Sequence, residues 1–180
     1  PHIRIHEVDI DGPLYETWPA PSQSSVLEGR PFSSRRVEKL IRGFSSRAFR
    51  RPTTQREVKE LMAFYKTRRD SGQNDFQAFK DTLKRILCSP GFLYLNEPAD
   101  DKGRLSGFAL ASRMSYFLWS SMPDDELVKL ASKNRLENPG VMRAQISRML
   151  KDPKADVFVE NFVDIVLTLK DLGSQPPDRK

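Results

Sequence analysis

The spacing of apolar residues along most of this chain is that of amphipathic α-helices. Val37, Leu40, Ile41, Phe44 and Ala48 follow i, i+3, i+4, i+7, i+11 spacing, which places them on one face of a helix. Similar spacing recurs over residues 54–70, 75–88, 105–120, 124–131, 139–150 and 153–169. Residues 105–120 are apolar around most of the helix circumference, so we expect this helix to be central and buried. The pattern predicts an all-α fold, a bundle of about six helices.

Residues that favour helix starts lie in front of several of these stretches. Thr54 and Glu57 have the spacing of a capping box, in which the hydroxyl and the carboxylate each accept from an otherwise unpaired backbone N–H. Short polar side chains and Asn-Pro or Asp-Pro pairs predict the other starts. The residues concerned are Ser33 or Ser34, Asp75, Asn138 and Asp152.

The N-terminal part of the chain has a different pattern. Ile3 and Ile5 alternate with polar residues, as do Val8 and Ile10, which predicts a short β-strand with a bulge. Four prolines and a serine-rich run over residues 13–32 indicate a linker or extended arm. Residues 92–95 are a short apolar run, which spacing alone allows to be a strand or a buried extended segment.

Composition agrees with helices that bury one face each. Of the 180 residues, 38% are apolar and 30% are charged, and the net charge is +6. Residues 31–70 have 12 Lys plus Arg and 4 Asp plus Glu, so this segment is +8 and the remainder is −2. Residues 108–122 are too short and too polar to span a bilayer. The chain starts at Pro1 without a signal-like segment, so we expect it to begin inside a longer protein.

Metal, haem and thiol chemistry have little support in the sequence. Covalent c-type haem needs a Cys-x-x-Cys-His motif, and the chain has one cysteine, Cys88. His2 and His6 are about 13 Å apart if they lie on one strand, too far to share a metal ion. Cys88 follows an apolar stripe and has no histidine near it in sequence, so we interpret it as a buried small residue. We predict no cofactor and no metal within this chain.

Two clusters of acidic residues are candidates for a functional site. Asp124, Asp125 and Glu126 could bind Mg²⁺ or Ca²⁺ through carboxylate oxygens. Their position after Pro123 favours a helix N-terminus, where acids complement the helix dipole. Glu160 and Asp164 lie one turn apart on a predicted helix, and we interpret them as a solvated face.

Basic residues form the sharpest candidate site. Arg47, Arg50 and Arg51 surround Phe49 at the end of the first predicted helix, and four more basic residues precede them. Such a patch could bind phosphates or an anionic polysaccharide. The same spacing is expected of a solvated helix face or of arginines paired with acids. We therefore name Arg47, Arg50 and Arg51 as candidate polyanion-binding residues, and we interpret Tyr116 and Trp119 as core aromatics.

Several motifs, in order, resemble a pair of bacterial domains of unknown function that are typical of planctomycetes. The first set is Arg47-Ala-Phe-Arg-Arg-Pro52 and Ser89-Pro-Gly-Phe-Leu-Tyr94. The second is the segment from Leu105 to Leu127, followed by Arg148-Met-Leu-Lys-Asp-Pro153 and Phe158-Val-Glu-Asn-Phe162. Ile165-Val166 stands where the family usually has Gln-Trp. The resemblance implies a long, exported, multidomain protein with a c-type haem module elsewhere, hence a periplasmic or extracellular location.

These observations lead to one domain plan and three functional hypotheses. We expect the end of an upstream β module plus linker at 1–30, a basic helical module at 31–96 and a second helical module at 97–180. The leading hypothesis is a non-catalytic scaffold that contacts neighbouring domains of the same polypeptide. One alternative is part of an enzyme or carbohydrate-processing unit completed outside this chain, and the catalytic residues are then unknown. The other is a polyanion-binding module for which a polysaccharide, rather than nucleic acid, is the expected ligand.

Overall fold

A computed structural model describes residues 17–95 and 99–166, and these residues are helical with no β-strand. In these ranges nine α-helices and two 3-10 turns follow one another, together with one isolated antiparallel bridge between Ala99 and Leu105. The helices are α1 (Pro21–Leu27), α2 (Val37–Ala48), α3 (Gln55–Asp70), α4 (Asp75–Leu87), α5 (Pro90–Leu93), α6 (Gly107–Trp119), α7 (Asp125–Ser132), α8 (Pro139–Leu150) and α9 (Asp156–Val166). The prediction of an all-α fold is confirmed.

The seven stretches with helical spacing are helical over most of their described residues, but the expected total of about six helices is too low for these ranges. Helix α1 lies inside the predicted linker or extended arm, with Leu27 buried at its end. Helix α5 includes part of the apolar run 92–95, which is neither a strand nor buried, since Leu93 is 60% exposed. The predicted N-terminal strand, His2 and His6, and the end of the last predicted helix lie outside the described residues.

Contacts divide the chain into two compact units. Among the described residues, unit 1 comprises 17–44 and 55–83, and unit 2 comprises 45–54, 84–95 and 99–166. In unit 1, Phe32 packs against Phe76 and Phe79 with ring centroids 5.1 and 5.4 Å apart. The hydroxyl of Tyr65 on α3 donates to Asp75 at the start of α4 at 2.8 Å.

Unit 2 is organised around α6, which contacts α7, α8 and α9. Seven α6 residues are buried, as expected for a central helix, although Phe117 on α6 is 66% exposed. The core contains side chains from α6, α7, α8, the connection between α7 and α8, and the 3-10 turn that follows α8. Its buried members are Ala111, Leu118, Trp119, Leu127, Ala131, Leu136, Met149 and Ala155.

Side-chain caps define several helix starts. Asp124, Asn138 and Asp152 accept hydrogen bonds from backbone N–H groups two or three residues ahead, at 2.9 to 3.2 Å. Asn74 rather than Asp75 precedes α4, and its side chain accepts from the N–H of Gln77 at 2.9 Å. Ser33 precedes a 3-10 turn at Ser34–Arg36 and makes no side-chain cap. Local chemistry therefore indicates most helix starts to within a residue or two.

Gly107 permits a close approach between α6 and α7. A Cβ atom at this position would lie 2.8 Å from the carbonyl oxygen of Ala131 and 3.1 Å from its Cα. Real Cβ atoms do not approach backbone this closely, so any side chain here forces the two helices apart. The absence of a Cβ at Gly107 is thus a packing requirement.

We expect Gly107→Ala to lower the free energy of unfolding by about 1–3 kcal/mol, because the added methyl overpacks the contact with Ala131. Gly43→Ala on α2 is the matched control, since a Cβ there has no neighbour within 4 Å. That change is expected to stabilise the protein by about 0.5–1 kcal/mol, the gain typical of a helix interior. Urea denaturation measures both values. Equal effects of the two substitutions would contradict the close packing.

Candidate functional site

The acidic cluster at 124–126 lies at the start of α7 and is paired with an arginine from α8. Arg148 Nη1 donates to Asp124 Oδ2 at 2.7 Å, and Arg148 Nη2 donates to Asp124 Oδ1 at 3.3 Å. Asp124 Oδ1 also accepts from the N–H of Leu127 at 2.9 Å. This carboxylate therefore caps one helix while it holds the last turn of another, as the helix-start interpretation expects.

The pairing extends into a polar network above a buried tryptophan. Arg148 Nε donates to Gln145 Oε1 at 2.8 Å, and Gln145 Nε2 donates to Glu126 Oε1 at 2.7 Å. The Arg148 guanidinium lies 5.5 Å from the Trp119 ring centroid. Trp119 is 3% exposed, and its indole N–H donates to the carbonyl oxygen of Met149 at 3.0 Å. The interpretation of Trp119 as a core aromatic fits this burial.

The network favours the ionised forms of both partners. Partial burial opposes ionisation of Asp124, but the hydrogen bonds from Arg148 and from the Leu127 N–H outweigh it and hold its pKa below the usual range. The hydrogen bond to Asp124 raises the pKa of Arg148. Three donors, two from Arg148 and one from the Leu127 N–H, already bind this carboxylate, so we interpret it as a structural ion pair. We conclude that Asp124 and Glu126 stabilise the junction of α7 and α8.

The three predicted arginines lie at the end of α2 in unit 2. Arg50 has a left-handed backbone with φ of 57°. The N–H of Arg50 donates to Arg47 O at 3.1 Å and the N–H of Arg51 donates to Ser46 O at 3.2 Å, which is the hydrogen-bond pattern of a Schellman motif. Glycine usually occupies that left-handed position, so an arginine there needs a compensating contact.

The Arg50 side chain makes that contact at the end of α5. Its guanidinium donates to the carbonyl oxygens of Gly91 at 3.0 Å, Phe92 at 3.3 Å and Tyr94 at 3.1 Å. The last carbonyls of a helix have no partner within it, and a cation there also complements the helix dipole. The Arg50 guanidinium lies 5.8 Å from the Tyr116 ring centroid. Arg50 is therefore a C-terminal cap for α5 as well as a surface cation.

Arg47, Arg50 and Arg51 also line one groove of about 300 Å³, which we call the arginine groove. Its apolar lining residues are Pro52, Phe108, Met122, Pro123 and Val128. Asp125 is the one acid of the lining, so the lining has a net charge of +2. The sequence predicted that the three arginines lie close together. It could not predict the apolar residues of the groove, because Phe108 and Val128 are more than 50 residues away in the sequence.

The remaining sequence-based candidates do not gather into a site within the described residues. Cys88 is exposed, so its interpretation as a buried residue is wrong. It follows the last turn of α4, where Leu87 already faces partly outward. Glu160 on α9 is exposed and Asp164 is half-buried. In the ranges that the structure describes, no three His, Cys, Asp or Glu side chains are placed to hold a metal ion.

Helix α9 exposes most of the face that its sequence predicts to be inward. Phe158 is half-buried and lies 5.0 Å from Phe117 and 5.7 Å from Phe162, measured between ring centroids. The other residues of the same stripe are 53 to 73% exposed. They are Val159, Phe162, Ile165 and Val166. We call this stripe, together with Phe117, the α9 face. The sequence predicted Phe162, Ile165 and Val166 of this face to point inward, and all three are exposed, as is Leu150 at the end of α8, which was also predicted inward and is 50% exposed.

The described residues form a helical fold in which polar side chains join helix ends. Residues 105–180 match the family model described as "PSD4: Protein of unknown function (DUF1592)", and residues 36–97 match "PSD5: Protein of unknown function (DUF1595)". The resemblance to a pair of domains of unknown function therefore has support from two matches. No curated protein and no solved structure matches the chain. None of the helices in residues 17–95 and 99–166 combines the length and apolarity needed to cross a membrane.

We expect Asp124→Asn to lower the free energy of unfolding by about 1–2 kcal/mol at pH 7, because asparagine keeps the cap but loses the ion pair with Arg148. The folded-state pKa of Asp124 is lowered, so the pair stabilises fully above the unfolded-state pKa of about 3.9. Its contribution disappears as pH falls through the lower folded-state pKa.

Thermal unfolding of both proteins between pH 7 and pH 2.5 measures this dependence. The difference between wild type and Asp124→Asn should narrow as the pH falls below about 4. Asp125→Asn is the control, since Asp125 is exposed and is expected to change stability by less than about 0.5 kcal/mol. A difference that stays constant over the whole pH range would show that the ion pair does not stabilise the fold.

We expect Arg50→Ala to lower the free energy of unfolding by about 1–3 kcal/mol, because the carbonyls of α5 lose their charged donor. Arg50→Gly loses the same hydrogen bonds but removes the left-handed strain. It should therefore be more stable than Arg50→Ala by about 1 kcal/mol. Urea denaturation of both variants tests the two effects separately. Equal stability of the Gly and Ala variants would contradict the left-handed backbone at this position.

Proposed function

We propose that this chain is a non-catalytic helical module that binds a neighbouring domain of the same polypeptide through the α9 face. The observation that supports this function is the exposure of a continuous apolar stripe on an otherwise well-formed helix. Soluble surfaces seldom keep several large apolar side chains together unless they form an interface. The polar clusters, in contrast, are used within unit 2 to join helix ends.

The size of the α9 face favours a covalently linked partner. Burial of four side chains that are 53 to 73% exposed would contribute on the order of 5 kcal/mol before the entropy lost on association is subtracted. A free partner would normally need an interface of about 1,000 Å² or more, which one helix face does not supply. A domain on the same polypeptide has an effective concentration near the millimolar range, so a small apolar face is sufficient.

The wider setting of the proposal rests on the resemblance. We propose that the modules at 31–96 and 97–180 belong to a long bacterial protein that is exported to the periplasm or beyond. A c-type haem module would lie elsewhere in that protein, and this chain would keep neighbouring domains in position. Both family matches, which run over 36–97 and 105–180, support the pairing of the two modules.

The test compares amide hydrogen exchange in this chain with exchange in the natural polypeptide that contains it. We expect the amides of α9 to exchange at least tenfold more slowly in the longer protein, because the α9 face is covered there. Phe162→Asp combined with Ile165→Asp should remove the added protection. Leu93→Asp is the matched control, since Leu93 is equally exposed but lies on α5.

Equal exchange of α9 in the two proteins would overturn the proposed interface. Turnover of a substrate by the longer protein that one substitution in this chain abolishes, with the fold intact, would overturn the non-catalytic assignment. Loss of protection in the Leu93 variant as well would indicate a general loss of stability and would also count against a specific α9 interface.

A further inference from the structure

We infer that a groove in unit 1 binds a uronate residue of an acidic polysaccharide, with the sugar ring on aromatic side chains and the carboxylate at Arg30. The groove has a volume of about 470 Å³ and lies beside α1, so we call it the α1 groove. Its lining includes Trp18, Gln23, Ser24, Arg30, Phe32 and Phe76, all of which belong to unit 1. The α1 groove is therefore separate from the α9 face, which belongs to unit 2.

Aromatic side chains supply the apolar part of the α1 groove. Phe32 packs 5.4 Å from Phe79, measured between ring centroids, and Phe79 is 1% exposed, so the core of unit 1 fixes the Phe32 ring. Phe76 lies 5.1 Å from Phe32 and is 39% exposed, while Trp18 is 76% exposed. Exposed rings of this kind can cover the C–H face of a sugar ring. Rigid aromatic side chains also lose little conformational entropy when they do so.

Arg30 supplies a positive charge to the groove. Its side chain is exposed, and no hydrogen bond or ion pair joins it to another group in the described part of the chain. Among the described residues of the lining, Arg30 is the one charged side chain, so the lining has a charge of +1. A planar guanidinium fits a carboxylate through two parallel hydrogen bonds. One such cation suits a ligand unit that has one carboxylate.

Gln23 and Ser24 supply neutral hydrogen-bonding groups from α1 to the same lining. Both residues are half-buried, and within residues 17–95 and 99–166 neither side chain forms a hydrogen bond. The amide and the hydroxyl can each donate and accept, as sugar hydroxyls also can. A ligand that combines a ring, one carboxylate and several hydroxyls therefore matches all three parts of the lining.

The size and the exposure of the groove favour a sugar acid over an aromatic acid. A volume of about 470 Å³ corresponds to roughly 15 water-sized groups, which is enough for one sugar ring with its substituents. Because Trp18 and Arg30 are exposed, the outer side of a bound ring stays in water. Hydroxyls on that side remain hydrated, whereas an aromatic acid loses part of the apolar burial that would favour its binding. The open groove also leaves space for the neighbouring residues of a polysaccharide.

The experiment follows the indole N–H signals of Trp18 and Trp119, the two tryptophans of the chain, by NMR of the isotope-labelled protein. The probes are methyl galacturonide, methyl galactoside, which lacks the carboxylate, and benzoate, which lacks the hydroxyls. We expect methyl galacturonide to shift the Trp18 signal with a dissociation constant near the millimolar range. The Trp119 signal should not move, since Trp119 is 3% exposed and belongs to unit 2.

Comparison of the probes tests each part of the groove. Methyl galactoside and benzoate should each bind about fivefold more weakly than methyl galacturonide, or weaker still, because each lacks one set of hydrogen bonds. Higher salt should weaken methyl galacturonide and leave methyl galactoside unchanged. Trigalacturonate should bind at least as tightly as methyl galacturonide, because the open groove accommodates the adjoining sugars.

Variants assign the contacts. Arg30→Gln should weaken methyl galacturonide to about the affinity of methyl galactoside and leave methyl galactoside unchanged. Arg35→Gln is the matched control, because Arg35 is exposed outside the groove and the substitution removes the same charge. Gln23→Ala combined with Ser24→Ala should weaken both sugars and leave benzoate unchanged. Alanine favours helix, so the double variant should keep α1 folded.

Four results would overturn the inference. The first is equal binding of methyl galacturonide and methyl galactoside, or an equal effect of the Arg30 and Arg35 variants. The second is tighter binding of benzoate than of methyl galacturonide, which would identify a site for aromatic acids. The third is weaker binding of trigalacturonate than of the single sugar, which would exclude a polysaccharide. The fourth is a shift of the Trp119 signal without one of Trp18.

The inference and the proposed function can fail separately. The titration reports on the α1 groove in unit 1, and hydrogen exchange reports on α9 in unit 2. Failure of the galacturonide probes would leave the protection of α9 in the longer protein unaffected, and unprotected α9 amides would leave the sugar titration unaffected.

Discussion

The contact between Asp124 and Arg148 is the constraint on which unit 2 depends. The two residues are 24 positions apart, one at the start of α7 and the other in the last turn of α8. Their pairing covers the Trp119 ring, whose N–H is bonded to Met149 on the same α8 turn. One tryptophan from α6 is thereby enclosed by the ends of two other helices. If the ion pair were absent, the carboxylate and the guanidinium would both lose partners in a partly dehydrated place, which costs more than a surface pair.

The same use of arginine recurs at the end of α2. Arg50 has a backbone conformation that normally suits glycine, and its side chain compensates by binding three carbonyls around the end of α5. In both places a long cationic side chain satisfies groups that a helix terminus leaves unpaired. The strongly basic segment 31–70 is therefore partly a structural feature, and its charge is not by itself a sign of a polyanion ligand. What remains of functional interest is where that charge borders apolar surface, at the arginine groove.

The α9 face and the arginine groove differ in the kind of partner they suit. The α9 face consists of apolar side chains, so it suits another apolar surface. The groove combines apolar side chains with arginines, so its surface is of mixed character.

The sequence by itself determined the helices of the described residues wherever the apolar spacing was long and the start had a cap. Asp124, Asn138 and Asp152 cap helices through bonds that reach only two or three residues, so local sequence is enough to find them. The short helices α1 and α5 were not predicted, because seven and four residues are too few to show a helical period. Only the tertiary structure decided which apolar stripes are covered. Spacing identifies one face of a helix but not what lies against it, so Phe162 and Ile165 were predicted inward and Cys88 buried, and all three are exposed. Local sequence patterns also do not show how distant helices pack. The hydrogen bond between Asp124 and Arg148 and the groove that Arg47 and Val128 both line depend on that packing.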